Sequence, residues 1–368
     1  MGTPLMNERT AIGSCWKMRR ATPEDGPAIT QMLNRVFHIK RSIDHWRWKF
    51  LDNPAGTFCA VVAEDGNQIV GHYAIVPTWV NLSGQRVMGG QSVDLMVHPD
   101  YRKKGIFVSL AKELSNQAAS KGIRMLYGFP NEKSYGGFVS RLGWKDVGRL
   151  RQLTAILNLP AIIKQRTKSA AVATAVAIPV GLFLAFLKRL RRTQCSKNVE
   201  IIKVDVVDGR FDALWASIKN HMTASVWKDS TYLQWRYLAC PGRHYLVLVA
   251  KNGGFLVGFI VIRHGKILKP DEYFGHIVDF LCLPGRVDAG ALLIREALHF
   301  LKGKGRSAAT WYAFENNHWY RLFLNEGFFQ QRKGSLPFIV KTHGVNASPA
   351  FPLCLNEWHM VAGDIDVF

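Results

Sequence analysis

Acidic residues are scarce in this chain. Its 368 residues carry 27 Asp and Glu against 48 Lys and Arg, a formal net charge of +21. The stretch from 147 to 199 holds no acid at all. A basic surplus this large exceeds what solubility needs and points to an anionic partner: a membrane surface, nucleic acid, an acidic polymer or an anionic co-substrate. Paired cysteines are missing too. Cys15, Cys59, Cys195, Cys240, Cys282 and Cys354 are scattered, with no C-x-x-C pair. This argues against a disulfide framework or a metal site and reads as reduced thiols. The first residues lack a basic-then-apolar signal pattern, so a cytoplasmic location is expected. The rest is ordinary for a globular protein, with 48% hydrophobic and 20% charged residues. The length suggests about two to three domains.

The most informative stretch is Val93 to Val108. An apolar, β-prone run (Val93, Leu95, Met96, Val97) turns at His98-Pro99-Asp100. It then crosses Arg102-Lys103-Lys104-Gly105 into a helix with apolar positions Ile106, Leu110, Ala111 and Leu114. A strand entering a helix through a basic, glycine-containing turn is a place to hold a phosphate. The first N–H groups of the helix lack internal partners, and the helix dipole is positive there.

This stretch resembles motif A of the GNAT acyl-CoA transferases, R/Q-x-x-G-x-G/A, with Phe107 where a small residue is usual. The resemblance implies that Arg102, Lys103, Lys104, Gly105, Ile106 and Phe107 cradle the pyrophosphate of an acyl-CoA co-substrate, acetyl-CoA first among them. It also implies that the fourth and fifth strands splay. Leu95, Met96 and Val97 then offer backbone groups to the pantetheine arm, and an N–H beside Met96–Val97 faces the developing oxyanion. The segment from Asn131 to Gly143-Trp144 resembles motif B and adds Asn131 to the cofactor-binding set. The usual tyrosine position of that motif is Val139, so Tyr135, one helical turn upstream, is the nearest substitute acid. Asp94 is the candidate general base, against the alternative of a structural ion-paired Asp. His98 is a candidate proton relay, against a plain turn residue.

In chain order, Trp16–Arg20 reads as a strand. Thr22-Pro23-Glu24-Asp25 starts a helix, and a second helix ends before Asn53-Pro54. Phe58–Ala63 and Gln68–Val76 flank Asp65-Gly66 as a hairpin, followed by a strand at Val87–Val97. A helix over Lys104–Ser120, a strand over Ile123–Gly128, a helix over Ser134–Leu142 and a strand over Trp144–Leu157 follow. The order β-α-α-β-β-β-α-β-α-β is the one the resemblance implies.

The second half repeats the first. Trp48-Lys49-Phe50-Leu51-Asp52-Asn53-Pro54 matches Trp235-Arg236-Tyr237-Leu238-Ala239-Cys240-Pro241, and Val93-Asp94 matches Val278-Asp279. The expected architecture is therefore α/β (α+β): two tandem GNAT-like domains, each a mixed, mostly antiparallel sheet flanked by helices. They span 1–158 and 200–345, with a linker at 159–199 and a tail at 346–368. After Pro284 the basic turn is gone, so a single acyl-CoA site is expected, in the first copy. Trp311, Tyr312, Trp319 and Tyr320 read either as core or as a stacking surface. In the joint, the uncharged run Ser169–Leu187 is followed by Lys188, Arg189, Arg191 and Arg192. This suggests an interfacial segment on anionic lipid, or a packed linker.

The implied reaction is acetyl transfer to a primary amine, with an amino sugar of a surface polysaccharide or a lipid-linked precursor as acceptor. The alternatives are a Fem-type aminoacyl-tRNA-dependent transferase and a non-catalytic membrane or nucleic-acid adaptor. No metal is implied, and nucleic acid is not the favoured partner.

Overall fold

The computed structural model describes residues 16–56, 58–167, 198–263, 273–343 and 357–366, with Cys354 and scattered positions between 175 and 196. The chain forms two compact units, one of residues 1–80, 86–147 and 337–353, the other of 81–85, 148–336 and 354–368.

In the first unit, β1 (Lys17–Arg20) pairs antiparallel with β2 (Cys59–Asp65), and β2 with β3 (Gln68–Leu82). β3 turns back into β4 (Gln85–Val97), which lies parallel to β5 (Met125–Gly128). β14 (Leu336–Thr342) pairs antiparallel with the other edge of β5. α1 (Gly26–Phe37) follows a Pro23–Asp25 turn and ends at His38, whose φ of 53° breaks the helix. It buries Ile29, Met32 and Leu33. Ser42 caps α2 (Ile43–Phe50) by accepting from the His45 N–H. α3 (Ile106–Ser120) lays Ile106, Leu110, Ala111, Leu114 and Ala118 onto the sheet core with Val61, Ala63, Val70 and Ile75. α4 (Glu132–Arg141) adds Phe138 to the same core. The β-α-α-β-β-β-α-β-α-β order read from the sequence is present.

In the second unit, β6 (Lys145–Ile156) pairs antiparallel with β12 (Ala308–Ala313), and β12 lies parallel to β11 (Phe274–Cys282). β10 (Phe255–Arg263), β9 (Tyr245–Asn252) and β7 (Val199–Val204) continue the sheet antiparallel. β13 (Phe328–Gln330) also pairs with β6, and β15 (Trp358–His359) with β8 (Ala224–Val226). The helices are α5 (Leu159–Thr167), α6 (Gly209–Ile218), α7 (Ser230–Leu233), α8 (Val287–Gly303) and α9 (Tyr320–Asn325).

The strand–strand partners divide the chain differently from a cut at 158. Most of β6 belongs to the second unit, while β14, read as part of the second copy, completes the sheet of the first. Residues 357–366, read as tail, are largely buried. Trp358, Met360, Val361 and Ile365 pack in the core, and Arg236 donates to the carbonyls of Gly363 and Ile365. Among the described residues, no helix is long and apolar enough to cross a membrane. Most of Ser169–Leu187, together with Lys188, Arg189, Arg191 and Arg192, lies outside the described residues.

Candidate active site

The site begins where β4 outruns its neighbour. The parallel β4–β5 register covers Gly89 to Gln91 against Met125 to Tyr127 and stops there. β4 runs on to Val97, so Ser92 to Val97 have no β5 partner. Asp94 interrupts this strand with a φ of 52°, a conformation that aspartate tolerates better than most residues. The Lys49 Nζ donates to Asp94 Oδ2 at 2.7 Å, and Arg41 Nη1 lies 3.6 Å from Oδ1. Lys49 is 2% exposed, so this is a buried ion pair. His72 Nδ1 sits 3.0 Å from the Asp94 carbonyl. A carbonyl only accepts, so that nitrogen carries the proton. Burial pushes the His72 imidazole down to about 4 and holds it neutral at pH 7.

Beyond Val97 the chain turns. The His98 N–H donates to the Val70 carbonyl, and the Tyr101 hydroxyl donates to Asp65 at 2.6 Å. Both bonds tie the turn to the β2–β3 hairpin. Lys103 (φ 65°) and Gly105 (φ 80°) are in the left-handed region, and Arg102 to Gly105 are exposed. A Cβ built on Gly105 would meet nothing within 4 Å. Among the described residues, the backbone N–H groups from Lys103 to Phe107 donate to no protein acceptor. Together with the head of the 15-residue α3 and three cationic side chains, they form a cradle for a phosphate-type anion. The residues present therefore fit a pyrophosphate. Phe107, the departure from the motif, is accommodated across the helix pair. Its ring packs edge-on to Phe138 and lies 3.0 Å from where a Cβ on Gly137 would be.

The other expected residues have these places. His98 is a buried turn residue whose Nδ1 accepts from the Asp100 N–H at 3.4 Å. Asn131 caps α4, its side-chain oxygen accepting from the N–H groups of Lys133 and Ser134. The Tyr135 hydroxyl donates to Asp146. Trp311 is fully buried and stacks on Phe323 at 3.6 Å, and Trp319 and Tyr320 are buried with it, which makes these three core; Tyr312 is half-buried, its hydroxyl donating to Gln152 at 2.9 Å.

The second copy has no such cradle. α3 starts seven residues past Pro99, but α8 starts three past Pro284, and Arg286 there is paired with Asp288 at 3.0 Å. Asp279 is fully buried and accepts from Lys228 Nζ and the Tyr237 hydroxyl, both at 2.7 Å. It keeps the ion-paired arrangement of Asp94, and although β11 also runs on past its last β12 partner, Ile277, the turn that follows it carries no anion cradle.

The acetyltransferase (GNAT) domain family matches residues 17–147. These residues belong to the GNAT acetyltransferase family. Among solved structures, the chain is similar to a GCN5-related N-acetyltransferase from Anabaena variabilis ATCC 29413 (12% identity, TM-score 0.61, 89% of this chain and 72% of that one). It is also similar to Saccharomyces cerevisiae N-myristoyltransferase with bound myristoyl-CoA and inhibitors (12%, 0.62, 98% and 88%). A third similar structure is a tandem GNAT protein from the clavulanic acid biosynthesis pathway (12%, 0.57, 90% and 100%). No curated protein matches the chain. The chain thus carries a GNAT acetyltransferase domain at residues 17–147 and has the tandem-GNAT fold.

Sequence reading passed over Lys49, His72, Tyr73 and Ser92 in this GNAT unit. For Lys49 a signal was present. It sits between aromatic residues in the repeated segment, at the position of buried Arg236, and a buried cation needs a buried partner. The other three depend on cross-strand register, which spacing does not reveal.

Proposed function

We propose that this enzyme transfers an acyl group, acetyl in the first instance, from acyl-CoA to a primary amine. The observation that carries this is the run of free N–H groups from Lys103 to Phe107, flanked by exposed Arg102, Lys103 and Lys104, at the end of a strand that outruns its neighbour. Pyrophosphate on the cradle lets the pantetheine arm follow β4 along Leu95, Met96 and Val97 toward Asp94. The amine must lose a proton to attack, and Asp94 is the carboxylate beside its path. Arg102 also counts against an aminoacyl-tRNA-dependent transferase, which needs no pyrophosphate turn. We further propose an amino sugar or lipid-linked amine as acceptor, on the strength of the basic, acid-free joint.

Calorimetry with CoA tests the first proposal. Gly105→Glu puts bulk and negative charge into the cradle, and CoA affinity should fall at least a hundredfold. Gly122→Glu, at the far end of α3, carries the same left-handed penalty in open space and should bind CoA like wild type. The repeat-aligned Gly290 is no such control, because a Cβ there would lie 2.8 Å from Leu322. Equal affinity in wild type and Gly105→Glu would sink the assignment. So would a wild type that binds no CoA.

A further inference from the structure

We propose that Ser92 directs a hydroxyl hydrogen at the thioester sulfur of bound acyl-CoA, with Tyr73 as the positioning residue that aims it; this rests on the acyl-CoA reading above. Tyr73 on β3 lies with its hydroxyl 2.6 Å from Ser92 Oγ on β4. Tyr73 is 2% exposed, and no other protein group among the described residues bonds either hydroxyl. That decides the direction of the bond. If Ser92 donated, the phenolic hydrogen would be buried without an acceptor, which costs about 1–3 kcal/mol. Tyr73 therefore donates, Ser92 Oγ accepts, and the Ser92 hydrogen is left to point elsewhere. Ser92 is half-buried and is the first residue of β4 past its last β5 partner, Gln91. Its Oγ is 3.7 Å from where a Cβ on Gly128 would sit, and that glycine ends β5. The hydroxyl thus stands at the fork of the two strands, two residues from Asp94.

From Ser92 to Val97 the strand covers about 17 Å at roughly 3.3 Å per residue, a span suited to an extended arm whose pyrophosphate is on the turn. In the reaction the amine nitrogen forms the new C–N bond and its proton goes to the base. The C–S bond breaks with its electron pair on sulfur. Ser92 keeps its proton, because a thiolate is too weak a base to take it. Its hydrogen bond strengthens as charge builds on sulfur, and so it favours the transition state over the bound thioester. Burial holds the Tyr73 phenol protonated, well above its ordinary range, so it stays a donor throughout.

The test uses CoA itself and needs no acceptor. The full-length protein is saturated with CoA, and the ultraviolet absorbance of the bound thiolate is followed against pH, with the CoA-free protein subtracted to remove its own thiols. A hydrogen bond to the thiolate lowers the ionisation midpoint. The Ser92→Ala midpoint should lie about half to one pH unit above that of wild type, at unchanged CoA affinity. Ser92→Thr should restore the wild-type midpoint, and Tyr73→Phe should raise it by a smaller amount. Identical midpoints in wild type and Ser92→Ala, both with CoA bound, overturn this proposal and leave the acyl-CoA reading standing. If wild type binds no CoA, both fall.

Discussion

Asp94 is the residue on which structure and chemistry compete. Its carboxylate is already committed to Lys49 at 2.7 Å in a nearly dry setting. Breaking such a pair costs about 3–5 kcal/mol. Asp94→Asn and Lys49→Met should both lose stability in thermal melts, Lys49→Met the less, because Arg41 stays 3.6 Å from the carboxylate. They should part in turnover. If Asp94 takes the amine's proton, Asp94→Asn should lower kcat by roughly 10²–10⁴, while Lys49→Met at a temperature where it is folded should stay within about tenfold of wild type. The Asp94→Asn deficit should shrink at high pH, where the amine is already neutral. Matching kcat values in the two variants would make Asp94 purely structural.

At the scale of the element, β14 matters most. Its Ile339 to Thr342 pair with Gly128 back to Met125, so β5 keeps a partner on that edge only because chain from beyond residue 336 returns. Phe338, Ile339 and Val340 are buried there, and Lys341 reaches the Leu142 carbonyl at 3.0 Å. A fragment cut at 158 would leave β5 with an open, apolar edge, the kind of strand that aggregates. We predict that residues 1–158 expressed alone are insoluble or expanded and bind no CoA. Adding 337–343 in trans, or fusing it by a flexible linker, should recover solubility. A monomeric, CoA-binding 1–158 fragment would show β14 to be dispensable.

For the whole molecule the imbalance of charge is the leading fact. With +21 in total and an acid-free stretch holding Lys188, Arg189, Arg191 and Arg192, attraction to anionic lipid should act together with insertion of the uncharged run before it. Each basic residue near such a surface contributes about 1 kcal/mol, and salt screens that share. The protein should pellet with vesicles containing anionic lipid. Replacing the four basic residues by Gln should weaken pelleting more at low salt than at high salt. Replacing Leu182, Phe183, Leu184 and Phe186 by Ser should weaken it at both. Wild type remaining in the supernatant at low salt would remove the support for a lipid-linked acceptor.

Local chemistry was legible in the chain itself. The internal repeat announced two copies, period and capping placed the elements of the first copy, and the basic turn announced an anion cradle. All of these depend on residues near in sequence, where backbone preference and charge act directly. Three things needed the tertiary structure. Asp94 met Lys49, 45 positions away, because a strand and a helix brought them together. Tyr73 and Ser92 met through the pairing of β3 with β4. β14 took its place beside β5 although alternation alone cannot say which sheet a strand completes, since any strand of the right pattern satisfies an open edge equally well until the rest of the chain is folded.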